Sequence, residues 1–280
     1  MELFYDFCGH LGDTLKTHAQ EGWVLIVILA VAISGFVSAL YTRLPAGKKV
    51  FLFISSECPF CRTVLKFRDQ IPLISFLLRR GKCRYCQASL PLGILMVEAA
   101  SIFIPCLMYF FYGPSIGFVA YTFCFLTLFI LAAIDLNDHV LPDEITLKGI
   151  AVGMLLSYLF PVLMRSDSSG TSLLQSALGF LTGIFLAGTI RFAGDLFVRQ
   201  EVLGLGDVML MGMVGAFLGI KLTVVAFFLS PLLSFPVALN FWVLQRKPMM
   251  PYAPFIASAA VLSLYFGDTL IEKFRTLMSF

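Results

Sequence analysis

Two groups of residues in this chain have types and spacing that could do chemistry. The first is four cysteines, Cys58-Pro-Phe-Cys61 and Cys83-Arg-Tyr-Cys86, with 21 residues between the pairs. Two CxxC knuckles at this spacing match tetrahedral thiolate coordination of zinc, each knuckle giving two sulfurs and the second closing the tetrahedron. Four protein ligands leave no position for a substrate, so the zinc expected here is structural, and its binding would supply the folding free energy of a segment with little core of its own. Disulfides or redox pairs are the alternative. A cytoplasmic location of the segment disfavours stable disulfides.

The second group is a pair of aspartates. Asp135 closes an apolar run in Ala-Ala-Ile-Asp135-Leu-Asn-Asp-His-Val-Leu-Pro142-Asp143, and Asp207 opens another in Gly204-Leu-Gly206-Asp207. Acids at the ends of apolar spans are costly and so mark functional candidates. Two close carboxylates cannot both ionise easily and share a proton. One can then act as base on a water while the other protonates a scissile carbonyl. Gly204 and Gly206 leave room beside Asp207 for a substrate backbone. The carboxylates alone also allow helix capping or an ion pathway. Asp138, Asp143 and Glu144 read as interfacial or capping residues, with Asp143 a possible N-cap, and His139 as an interfacial residue with no evident partner.

The elements that must position these groups follow from composition. Of 280 residues, 59% are hydrophobic and 13% charged, about half the roughly 25% charge of soluble domains. The apolar residues come in long runs, so lipid is the solvent. The first run starts near Trp23, after an acidic, His-containing stretch that does not read as a cleavable signal peptide. About eight transmembrane helices are expected, near 22–44, 91–112, 115–134, 146–164, 173–193, 206–220, 222–243 and 252–271. Cys106 and Cys124 fall within these runs and read as small core hydrophobes.

With the first span running outside to inside, the cytoplasmic side receives all of the 20 basic residues except Lys16, Arg165, Lys221, Lys273 and Arg275. The positive-inside rule therefore puts both termini outside, the polar loop inside, and Asp135 and Asp207 at one depth on the cytoplasmic side. The fold class is an all-α polytopic membrane protein with a small cytoplasmic four-cysteine zinc loop. Its expected parts are an N-terminal segment and first helix over 1–44, the zinc loop over 45–90, and a transmembrane core over 91–280 that carries both aspartates and would be the protease core if they are catalytic.

These features converge on a family. The chain resembles the bacterial type IV prepilin peptidases, GxGD intramembrane aspartyl proteases that are also N-methyltransferases, and the resemblance covers nearly the whole chain. Gly35-Phe-Val-Ser-Ala-Leu-Tyr-Thr-Arg-Leu-Pro45 resembles the family segment at the end of the first span. Cys58–Cys61, Gln70-Ile-Pro-Leu-Ile-Ser75 and Arg80-Gly-Lys-Cys83 resemble its zinc loop, and Glu98 stands where its loop-closing glutamate falls. Asp135 with Pro142-Asp143 matches its first aspartate motif, Gly204-Leu-Gly-Asp207 its GxGD motif, and Pro251-Tyr-Ala-Pro-Phe255 its late PFGPF-like segment. Two departures stand out: Met209 occupies the position of the usual Lys, and Gly93-Ile-Leu95 replaces Arg-Tyr-Pro before the glutamate.

The resemblance implies cleavage of prepilin or pseudopilin leaders after Gly at the cytoplasmic face of the bacterial inner membrane, with Asp135 and Asp207 catalytic. It implies zinc on Cys58, Cys61, Cys83 and Cys86, and methyl transfer from S-adenosylmethionine to the new N-terminus, with Glu98 the weaker candidate near that cofactor. The lipid bilayer and the pilin substrates are the expected partners, with no nucleic acid. Two readings compete. A proton- or ion-coupled transporter predicts mid-span charges and an inverted repeat. A non-catalytic assembly subunit docking through its zinc loop leaves the GxGD segment without a role.

Overall fold

The structure, a computed structural model, describes residues 22–44, 58, 60–61, 63–64, 69, 71–198, 203–240 and 250–278. Its helices are α1 (Trp23–Arg43), the short α2 (Ile74–Leu78), α3 (Leu92–Tyr112), α4 (Ile116–Asp138), α5 (Asp143–Leu159), α6 (Ser169–Ala193), α7 (Leu205–Asn240) and α8 (Ala253–Met278). Cys8 lies outside the described residues. In hydrocarbon every backbone group must be paired within its own segment, which is why these apolar runs are helices. Among the described residues, six helices are long and apolar enough to cross a membrane, and the chain is a multi-pass membrane protein.

Two details separate the six from the expected eight. The run at 146–164 forms α5 of 17 residues followed by a 3-10 turn, Pro161–Met164. Pro161 has no N–H with which to continue the helical ladder. The runs at 206–220 and 222–243 join as α7, interrupted at Gly219, whose φ of 72° and ψ of 178° are not helical. Only glycine reaches that conformation cheaply, so α7 is two half-helices meeting at one residue.

The chain divides into two compact units, Met1–Thr122 and Phe123–Phe280, with the boundary inside α4. In the first unit, α1 and α3 pair antiparallel. The Trp23 ring meets Tyr109 edge-on with centroids 5.0 Å apart. At the opposite end, Gly93 leaves the space into which the Tyr41 hydroxyl fits. Between them the Ser34 hydroxyl donates to the Glu98 carbonyl at 3.1 Å.

In the second unit, small residues let helices approach closely. This matters because lipid removes the hydrophobic drive between helices. Ser172, Ser176, Gly179, Gly183 and Ala187 form the buried stripe of α6. A Cβ on Gly179 would strike the Gly215 carbonyl, and one on Gly215 the Gly179 carbonyl. Gly153 of α5 lies beneath the Phe217 ring. Ser176 donates to the Ala216 carbonyl at 2.7 Å and Ser157 to the Ser172 carbonyl at 2.8 Å, satisfying the hydroxyls without water. The first half of α7 is buried almost all round, which explains an apolar pattern with no polar face.

With the two halves of α7 counted separately, successive helices of this unit alternate in direction. The end of α4 and the starts of α5, α7 and α8 therefore meet at one end of the bundle. At the other end Arg165 pairs with Asp268 at 2.7 Å.

Candidate aspartate site and four-cysteine cluster

Asp135 sits in the last turn of α4 and is only 7% exposed. Its Oδ2 accepts from the backbone amide of Ala253, the first residue of α8, at 3.1 Å. A helix N-terminus carries free N–H groups and a partial positive charge, both suited to a carboxylate. The Pro251-Tyr-Ala-Pro-Phe255 segment thus has a local function: it brings the start of α8 onto Asp135. His139, exposed and in the left-handed region with φ 53°, follows one turn later and acts electrostatically on Asp135, a partner that the sequence did not reveal.

Asp207 occupies the first turn of α7 and is 9% exposed. Its Oδ2 accepts from the Gly204 amide at 3.2 Å, while its Oδ1 is buried with no hydrogen-bond partner among the described residues. The charges of Asp135 and Asp207 act on one another. Residues 72 positions apart are therefore brought together at one end of the bundle. Gly206 does not open a path to Asp207, because Leu141 fills the space where its Cβ would stand, 2.7 Å from the Leu141 Cβ. This contact locks the loop between α4 and α5 against the start of α7. Arg191 secures the approach from the other side by donating to the Leu203 carbonyl at 2.8 Å. Asp143 is the first residue of α5, and the cap position belongs to Pro142. Met209 is half-buried in the same turn region.

In the first unit, the Sγ atoms of Cys58, Cys61, Cys83 and Cys86 all lie within 4.8 Å of one another, and those of Cys58 and Cys86 are 3.9 Å apart. A tetrahedron of sulfurs at the usual Zn–S distance has edges of about 3.8 Å. The backbone turns fit the same role. Cys58 N–H bonds to the Thr63 carbonyl and Cys83 N–H to the Ala88 carbonyl. The Tyr85 amide points at Cys83 Sγ at 3.4 Å, and Gln87 turns the chain with φ 58°. Hydrogen bonds from Thr63 lower the Cys61 thiol to about 6, and the Cys86 amide lowers Cys83. Cys86 is pushed up to about 11: the Ala88 amide pulls it down, but desolvation and the three neighbouring sulfurs outweigh that pull. The first protons leave such a cluster easily and the last is held, as expected of four thiols that want one divalent cation among them. The residues fit a tetrahedral metal.

Asp69 organises this loop, a role with no signal in the sequence beyond its basic surroundings. Its fully buried carboxylate pairs with Arg79, stands 3.7 Å from Arg84 and accepts from the Tyr85 hydroxyl at 3.3 Å. Although desolvation opposes ionisation, Arg79 and the other partners hold the group below the usual carboxylate range. Glu98 of α3 spends both oxygens on the chain itself: Oε2 accepts from the Leu73 amide at 2.8 Å and Oε1 from Ser38 at 3.5 Å. It pins the start of α2, where Leu73 has a φ of 59°.

Comparisons with known proteins bear on these arrangements. Residues 28–112 match the bacterial peptidase A24 N-terminal domain and residues 121–239 the type IV leader peptidase family. A prepilin leader peptidase/N-methyltransferase of Bacillus subtilis is 32% identical over 243 residues, covering 81% of this chain and 90% of that protein. The chain belongs to the type IV leader peptidase family. Proteins of the same description from Dichelobacter nodosus and Aeromonas hydrophila are 29% and 28% identical, over 83% and 79% of this chain and 78% and 74% of theirs. No solved structure matches. The family accounts for a peptidase embedded in the membrane, and its two matched segments contain the four cysteines and the two aspartates respectively.

Proposed function

We propose that this chain removes the leader peptides of type IV prepilins or pseudopilins at the cytoplasmic face of the bacterial inner membrane, using Asp135 and Asp207 as the catalytic pair. The observation that carries this reading is the burial of two carboxylates at one end of the second unit, each with one oxygen fixed by a backbone amide and each within electrostatic reach of the other. One carboxylate, ionised, takes a proton from a water. The other, protonated, hydrogen-bonds the scissile carbonyl. The water oxygen bonds to the carbonyl carbon, the C–N bond after Gly breaks, and a proton passes to the leaving amine. Backbone amides hold the carboxylates in place, so little rearrangement is needed during the reaction. The positive-inside distribution of Lys and Arg supports the cytoplasmic placement.

In this reading Cys58, Cys61, Cys83 and Cys86 hold a structural zinc, which supplies cross-linking of a loop with little apolar core. Residues 1–44, 45–90 and 91–280 then act as anchor, zinc loop and protease core. The relatives' names also bring N-methylation of the new N-terminus to this chain, with S-adenosylmethionine supplying the methyl group. Glu98 remains the weaker candidate near that half-reaction, acting through the loop it pins, and no cradle for the cofactor is recognisable among the described residues. The test is cleavage of a Gly-Phe prepilin by the purified protein in lipid. We expect cleavage by the wild type and a loss of about 10²–10⁴-fold in Asp135→Ala, the range for removing a positioned acid or base. Full activity in Asp135→Ala would remove the dyad.

A further inference from the structure

Among the described residues nothing covers the outward face of the short helix α2. Its Ile74, Leu77 and Leu78 are 54%, 65% and 80% exposed. Three large apolar side chains on a five-residue helix are costly to leave in water. The place of α2 in the first unit identifies what covers them. Glu98, which accepts from the Leu73 amide at 2.8 Å, is six residues after Leu92, where α3 starts. Gly35, where a Cβ would stand 3.8 Å from Pro72 Cγ, is eight residues before Arg43, where α1 ends. At a rise of about 1.5 Å per residue, these points lie about 9 and 12 Å along the two helices from the ends nearest the loop. α1 and α3 have 21 residues each, about 31 Å, hardly more than a hydrocarbon core of about 30 Å. The start of α2 therefore packs against both spans below the level at which they leave the bilayer.

The backbone and the charges agree with that depth. The amides of Leu73, Ser75, Leu77, Arg79, Arg80 and Gly81 all have partners within the chain. A loop in water can leave such groups to the solvent, whereas lipid offers them nothing. Directly after Leu78 the chain turns cationic. Arg79 and Arg84 share Asp69, but Arg80 and Lys82 are exposed, and neither pairs with an acid among the described residues. Apolar side chains followed at once by unpaired cations match the boundary between acyl chains and anionic headgroups.

We infer that α2 anchors the four-cysteine loop in the bilayer: Ile74, Leu77 and Leu78 enter the edge of the hydrocarbon, and Arg80 and Lys82 bind the phosphates of anionic phospholipids there. The inference goes beyond the leader-peptidase reading and does not use the aspartate pair. The cytoplasmic placement decides only which leaflet is occupied.

The experiment places the full-length, zinc-loaded protein in vesicles of phosphatidylcholine and phosphatidylglycerol, with both leaflets alike so that the direction of insertion does not matter. Trp23→Phe and Trp242→Phe leave Leu78→Trp as the sole tryptophan. We expect chain-brominated phosphatidylcholine to quench most of its emission and water-soluble acrylamide to leave most of it. Energy transfer to dansyl-labelled phosphatidylglycerol should exceed that to dansyl-labelled phosphatidylcholine at equal mole fraction. Arg80→Gln and Lys82→Gln should lower that preference by up to roughly fivefold for each cation removed, and high salt should lower it as well. Adding Asp207→Asn should leave both readings unchanged, which separates a failure of the anchor from a failure of the catalytic pair. Leu77→Trp repeats the measurement should Leu78→Trp lower the melting temperature. Strong quenching by acrylamide with none by brominated lipid would place α2 in water and overturn the inference. Equal transfer to both lipids, unchanged in the Arg80→Gln/Lys82→Gln variant, would overturn the assignment of anionic phospholipid.

Discussion

A carboxylate at the end of an apolar helix can be a cap, a proton relay or a catalyst, and its neighbours decide which. Asp135 and Asp207 are each about nine-tenths buried; Asp135 is held by the backbone at the start of α8 and Asp207 by the Gly204 amide. A cap needs only one oxygen, which the Asp207 bond to Gly204 already uses; the second, unpartnered oxygen of Asp207 and the nearby Asp135 carboxylate go beyond that role. The contrasting case is Asp69, whose oxygens are taken up by Arg79, Arg84 and Tyr85. Asp69 is therefore read as structural. Asp69→Asn should weaken zinc retention about tenfold or more, the usual range when a group that orients a metal-binding segment is lost, measured as the rate of metal transfer to a chelator, while leaving cleavage by the zinc-loaded protein near normal. The pH dependence has a definite sign. The folded Asp69 carboxylate titrates below its ordinary value, so its stabilisation is complete above the unfolded value of about 4. It is lost as pH falls through the lower folded value. Zinc release and protease sensitivity of the loop should accordingly begin only below about pH 4 for Asp69's part, with cysteine protonation adding its own release at higher pH.

At the scale of elements, the spans could be read from length and hydropathy because a membrane fixes how many apolar residues a helix needs. The breaks were harder. Gly219 lies among apolar residues on both sides, and nothing local distinguishes a hinge from a packed helical glycine; the φ of 72° is visible only once α7 is folded. Pro161 ends α5 although the expected span ran through it, because the turn that follows is apolar enough to extend a hydropathy window. The aspartates stood out because they interrupt apolar runs, whereas the amide that meets Asp135 did not, since Ala253 lies 118 positions further along the chain. The small-residue stripes make a prediction of their own. Gly215→Leu forces side-chain atoms onto the Gly179 backbone, which has no flexible end to move. A thermal melt in detergent should fall by an amount corresponding to at least about 1–3 kcal/mol, the usual cost of overpacking. Gly188, which has open space around its Cβ position, should accept Ala with no measurable loss.

At the scale of the whole molecule, the basic residues predict an orientation that the helix ends must obey. Glu144 at the start of α5 and Lys221 just beyond the α7 break stand at opposite ends of the second unit. In a variant without other reactive surface thiols, Glu144→Cys should react with an impermeant reagent only from the cytoplasmic side and Lys221→Cys only from outside. The reverse pattern would invert the topology. The exposed Arg165–Asp268 pair stands at the end of the second unit opposite the aspartates. Like most solvated ion pairs it should contribute only about 0–1 kcal/mol, so Arg165→Ala should leave both the melt and cleavage close to wild type.

The proposed cleavage depends most directly on Asp207. The measurement is the mass of the product released from a Gly-Phe prepilin by wild type and Asp207→Asn, each purified, zinc-loaded and reconstituted in lipid. The predicted result is a mature pilin beginning at the residue after Gly from the wild type and uncut substrate from Asp207→Asn at equal melting temperature. A product of the same mass from both proteins, at similar rates, would contradict the claim that the buried aspartate pair performs the cleavage.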